Sequence, residues 1–251
     1  MTSLKYISYT LVAFPPWLYG FSKELPIMQQ KKEQSWLERH ITLHTYDDPK
    51  AEKENAITHL VGTVMAIAAF VIILFRIPSL PTFSLKLGMI IWGLTMILLY
   101  AASTLYHSLP YGDGKRLCRI LDHGNIYFLI AGTYTPLLMY VGTSKAYAIL
   151  ALVWGVAVVG ILFTLLIWGK MGALHVALYI GMGWLVVIFW NDVVPYLPAG
   201  ITPWILAAGL TYTIGVFFYA NKRIPHYHAI WHLFCIGGSA IFFIGYMIKL
   251  L

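Results

Sequence analysis

The sequence predicts an all-α fold, a polytopic membrane protein built as a bundle of seven transmembrane helices. Three observations carry that prediction: a shortage of charge, seven apolar runs of spanning length, and short separators that hold helix breakers. Of the 251 residues, 59% are hydrophobic and 11% charged, against roughly 25% charged for an ordinary globular domain. Seven of the ten acidic residues precede residue 55, which leaves Asp113, Asp122 and Asp192 for all that follows. So little charge cannot cover a water-exposed surface of this size.

About 20 apolar residues cross the hydrocarbon core as a helix, and the runs of that length are 56–75, 87–109, 120–141, 146–168, 171–190, 203–221 and 228–248. Between them stand Pro78 and Pro81, the Gly112-Asp113-Gly114 turn, Gly142, Gly169, the stretch from Pro195 to Pro203, and Pro225, all residues that end helices. Barrel strands need only about 10 residues each and alternate in polarity; these runs do neither. No internal repeat is visible, which weighs against a transporter made of two homologous halves. Residues 6–21 are aromatic-rich and broken by Pro15-Pro16, which favours an interfacial segment over a signal peptide. Residues 29–55 are polar, with a short amphipathic helix expected from Ser35 onward. The domain division is therefore an N-terminal cytoplasmic or interfacial segment, 1–55, and a seven-span domain, 56–250.

Orientation follows from Lys and Arg. With the N-terminus in the cytoplasm and the C-terminus outside, 13 of the 17 basic residues face inward; Arg76, Lys86, Lys145 and Lys249 face outward. That is the arrangement the positive-inside rule favours, and it points to the plasma (inner) membrane. The net charge of +7 then reflects topology and contact with anionic lipid headgroups, not nucleic-acid binding. Cys118 and Cys235 offer no disulfide framework.

The same topology brings polar residues of three helices to one depth. The second span ends with Ser103 and His107, four residues apart and so on one helix face. The third begins with Asp122. The seventh begins with "HAIWH", which puts His228 and His232 on one face. Three imidazoles bind zinc and leave a fourth position open, as catalytic zinc sites do. An unpaired Asp near a helix centre costs about 2.5–3.5 kcal/mol in a bilayer, and zinc binding worth about 10–16 kcal/mol offsets such costs. Other histidines dilute the pattern: His59 reads as a helix-entry residue or a support behind the ligands, His123 as facing away from Asp122, and His175 as interfacial.

At these residues the chain resembles the haemolysin III family, within the progestin and adipoQ receptor group and the wider alkaline-ceramidase-like superfamily. The matching pieces are "ENAITH" (54–59), "STLYH" (103–107), "LDHGNIYFLIAGTYTP" (121–136) and "HAIWH" (228–232). The resemblance spans about residues 50–250. It implies a seven-helix bundle with an inside N-terminus and an intramembrane zinc held by His107, His228 and His232, with Asp122 and Ser103 beside the metal's open position. Relatives include lipid amide hydrolases and hormone receptors, so fold and metal transfer more safely than substrate.

The chemistry expected of such a site is hydrolysis of a lipid amide or ester. Zn²⁺ acidifies water to a pKa near 7 and polarises a carbonyl, Asp122 serves as the proton carrier, and Ser103 hydrogen-bonds the water or the oxyanion. Membrane lipid, entering between helices, would be the substrate. The alternatives are a receptor-like lipid or membrane sensor and a pore-forming cytolysin; the spans lack the polar stripe that an aqueous pore requires. No GxGxxG, P-loop or GxSxG is present, so nucleotide binding and serine hydrolysis have no support. Oligomeric state is not legible from the sequence.

Overall fold

A computed structural model describes residues 34–43, 49–166, 168 and 172–251. The aromatic-rich stretch at 6–21 lies outside the described residues. Among the described residues every regular element is helical, and the chain is an all-α polytopic membrane protein. The expected short helix is α1 (Trp36–His40), where the Ser35 hydroxyl accepts the Glu38 N–H at 3.0 Å, a standard N-cap. The strand of chain that follows it docks: Ile41 is 1% exposed, and Arg116 Nε donates to its carbonyl at 3.2 Å.

The long helices are α2 (Pro49–Arg76), α3 (Phe83–Ser108), α4 (Asp113–Val141) and α5 (Ser144–Leu166). After them come α6 (Gly172–Gly183), the single turns α7 (Leu185–Ile188) and α8 (Trp190–Val193), then α9 (Thr202–Ala220) and α10 (Tyr227–Lys249). At 28 residues α2 is about 42 Å long, more than the roughly 30 Å of a hydrocarbon core, so its first two turns project beyond the apolar stretch. Thr82 caps α3 through Leu85 N at 3.2 Å, and Gly142 ends α4 in the left-handed conformation at φ 66°, which favours glycine.

Among the described residues, five helices are long and apolar enough to cross a membrane: α2 with the turn after it, α3, α5, α9 and α10. Apolar side chains stand fully out from them, Phe75 and Leu166 being 81% exposed, as lipid contact permits. The 29-residue α4 has the length but is more polar. Its Asn125, Thr133, Thr135 and Pro136 are all buried. It is the central helix, packed between α3 and α5, and faces protein more than lipid. Close approach to α3 is set by Gly132, where a Cβ would fall 2.2 Å from Thr95 Oγ1. On the other side α10 packs on α9 and α2, with Gly238 against the Tyr212 ring, 2.5 Å from where a Cβ would stand. Tyrosines tie the layers together: Tyr246 Oη donates to Thr133 O at 2.6 Å, and Tyr100 Oη lies 2.7 Å from Ser239 Oγ.

One expectation needs correction. The run 171–190 reads as a continuous span, yet the helix breaks at Trp184 (φ −95°, ψ 8°) and again at Phe189 (φ −100°, ψ 23°). A break inside apolar surroundings must satisfy the backbone groups it frees. Tyr134 of α4 does so, its hydroxyl donating to Gly183 O at 2.7 Å and accepting Val186 N–H at 3.0 Å. Trp184 Nε1 then donates to Thr213 Oγ1 at 3.0 Å, fastening the break to α9.

Candidate metal centre

Three helix ends build the site. His107 lies in the last turn of α3, whose final carbonyls are held by Lys115: its Nζ donates to Tyr106 O at 2.8 Å and Leu109 O at 3.1 Å. That lysine is 2% exposed and satisfies carbonyls that a helix end leaves open. On the other side α10 begins at Tyr227, after His226 in the left-handed region at φ 57°. His226 Nδ1 is paired with the Glu54 carboxylate of α2, an anchor for a strained position. His228 and His232 follow within the first two turns, on one face.

The rings converge. Their centroids lie 5.1 Å (His107 to His228), 5.3 Å (His107 to His232) and 4.6 Å (His228 to His232) apart. All three residues are buried, and one ligand nitrogen from each falls within 4.8 Å of the others. They are close enough to hold a metal ion. Ligating histidines almost always engage the second ring nitrogen with an oxygen acceptor. His107 Nδ1 lies 2.8 Å from Glu52 Oε2. His232 Nδ1 lies 2.9 Å from Thr58 Oγ1 and 3.2 Å from Asn55 O. On both rings Nε2 is thus the nitrogen left for a metal. The residues fit.

Asp122 and Ser103 are both buried. Ser103 is 0% exposed, and its hydroxyl interacts with the Asp122 carboxylate. The Asp122 carboxylate is within electrostatic reach of His107, Ser103 and Arg119 and is not a member of the histidine cluster. His123 departs from expectation. It does not turn away: its Nδ1 lies 3.7 Å from Asp122 Oδ2 and 3.1 Å from Arg119 O. His59 stacks on His232, with both of its own nitrogens buried and, among the described residues, lacking a hydrogen-bond partner. His175 lies 3.4 Å from Thr164 Oγ1, outside the cluster, and Cys235 is a buried free thiol beyond it.

Sequence reasoning misses Glu52, Asn55 and Thr58 as supports of the histidines, although Asn55 and Thr58 lie within "ENAITH". The available signal was spacing: 52, 55 and 59 follow the i, i+3, i+7 pattern of one helix face. Missed as well was the apolar cavity of about 120 Å³ bounded by α4, α6, α9 and α10. Leu129, Ile130, Ile180, Trp184 and Phe242 line it, and Cys235 brings its wall within one helical turn of His232.

With this geometry in place, likenesses to other proteins gain meaning. The family model described as "Haemolysin-III related" matches residues 48–243. Hemolysin-3 of Bacillus cereus is 37% identical over 195 residues, covering 77% of this chain and 89% of that protein. The Hemolysin-3 homolog of Bacillus subtilis (strain 168) is 37% identical over 197 residues, covering 77% and 92%. Human monocyte to macrophage differentiation factor is 29% identical over 163 residues, covering 60% and 65%. The residues matched by the family model include His107, Asp122, His228 and His232.

Proposed function

The chain belongs to the haemolysin-III related family, and from that premise we propose that it is an integral membrane zinc protein that hydrolyses an amide or ester bond of a membrane lipid. The observation that carries this reading is the buried triad of His107, His228 and His232, with a carboxylate and a hydroxyl beside it. An apolar cavity begins one helical turn away. The three histidines would hold the metal through the nitrogens that face one another. Zinc in such a set supplies Lewis acidity to a carbonyl and lowers the pKa of water to near 7.

The rest of the chemistry belongs to the chain. Asp122, a carboxylate adjacent to the triad and outside it, accepts a proton from water and returns it to the leaving amine or alkoxide. Ser103, a buried hydroxyl beside the Asp122 carboxylate, donates to the oxyanion as charge develops there. The cavity takes an acyl chain, and its almost wholly apolar wall excludes water from all but the reacting end. With the N-terminus in the cytoplasm, the reaction takes place at the inner face of the plasma (inner) membrane.

A receptor-like sensor would use the same cavity and triad without turnover. A cytolytic pore, the reading that the relatives' name invites, needs an aqueous path, and the apolar lining of the cavity weighs against one. Metal analysis of the purified protein, followed by a lipid-wide hydrolysis screen with and without chelator, separates these readings. Zinc-dependent release of a fatty acid supports the hydrolase; a zinc-loaded protein that turns over no lipid supports the sensor.

A further inference from the structure

The first helix of the bundle supplies no ligand, yet it touches two of the three ligand rings. Glu52 Oε2 lies 2.8 Å from His107 Nδ1, while its other oxygen, Oε1, lies 3.5 Å from Lys115 Nζ. Lys115 in turn holds the last carbonyls of α3, the helix that carries His107. One carboxylate is therefore clamped between a ligand ring and the lysine that caps the ligand's own helix. Its place on α2 is fixed independently of both, because α2 also meets α10 through Thr58 and His232 and through Glu54 and His226.

We infer that Glu52 is a positioning residue: it holds the ring proton of His107 on Nδ1 and so presents Nε2, unprotonated and correctly aimed, to the metal. The physical reason is the two-nitrogen character of neutral imidazole. Only one nitrogen carries the proton, and the group that accepts it decides which nitrogen keeps a lone pair. A carboxylate is the strongest such acceptor a side chain offers, and it also raises the basicity of the ligating nitrogen. Lys115 supplies the opposite charge that lets the carboxylate remain in this partly buried place. His232 is set by neutral acceptors on the same helix, so α2 orients two ligands while contributing none.

This inference rests on the metal site proposed above and not on hydrolysis, and two measurements keep them apart. In metal-free protein labelled with ¹⁵N at histidine rings, His107 (assigned by loss of its signals in His107→Asn) is expected as the Nδ1–H tautomer. In Glu52→Ala it is expected to shift toward Nε2–H. In zinc competition against a graded chelator, Glu52→Ala is expected to lose about 10–100-fold in affinity. Glu52→Gln keeps the size and one acceptor oxygen, so it retains the tautomer and shows a smaller loss. Glu38→Gln, at an exposed carboxylate on α1, is expected to match wild type in both. An unchanged tautomer and unchanged affinity in Glu52→Ala would overturn the inference. Wild-type protein that binds no zinc would overturn the metal reading instead, and the tautomer comparison would still decide whether Glu52 orients the ring.

Discussion

The imidazole of His59 lies almost flat on that of His232, with ring centroids 3.4 Å apart and planes 14° from parallel. Tyr100 closes on the other edge of His59 at 5.2 Å. His59 is 3% exposed, and its position fixes the face of a ligand ring without adding a ligand atom. His59→Phe keeps a ring for the stack and removes both nitrogens, so zinc content should stay near that of wild type. A loss as complete as in His232→Ala would show that His59 is itself a ligand.

Ala at His107, His228 or His232 should sharply reduce zinc content and lower thermal stability, because α3 and α10 lose their cross-link. The same change at His175, which pairs with Thr164, should leave the metal in place. Metal analysis beside thermal unfolding in detergent reads both effects. Equal zinc loss from all four variants would indicate general misfolding and not ligation.

Tyr134→Phe removes a hydroxyl that serves two backbone groups at the break between α6 and α7. Leaving a buried carbonyl and N–H without partners costs about 1–3 kcal/mol per group. Thermal unfolding should therefore fall by several degrees while zinc stoichiometry is retained. An unchanged Tm would mean that the Trp184–Thr213 bond alone holds the break.

The break and the partners of His107 and His232 on α2 were the parts least legible in the sequence. Long apolar runs announce helices, because spanning length and hydropathy are local properties, and among the described residues every predicted run but 171–190 falls on one helix. A backbone break inside such a run is different. It is stabilised by Tyr134, 49 residues away from Gly183, and nothing local marks it. The triad was readable because i, i+4 spacing and topology suffice to align His228, His232 and His107. Glu52 was not, since its value depends on how α2 packs across the end of α3. His123 was misread for a related reason: neighbours on a helix diverge in direction, yet a ring nitrogen still comes 3.7 Å from the Asp122 carboxylate.

Orientation admits its own check. With the N-terminus inside and seven spans, a C-terminal reporter active only in the cytoplasm should stay silent. A strong cytoplasmic signal would mean an even number of crossings, with the broken segment 172–193 or the stretch at 6–21 as the place to look.

The central claim, that a zinc triad works with a separate proton carrier, is tested most directly at Asp122. Asparagine keeps the shape and hydrogen-bonds water but cannot take its proton. Once the hydrolysed lipid is identified, zinc content and turnover should be measured together on wild type and Asp122→Asn. The account predicts full zinc in both and a fall in turnover of about 10²–10⁴-fold in the variant, the usual worth of a general base. Zinc loss in Asp122→Asn, or undiminished turnover with zinc bound, would contradict it.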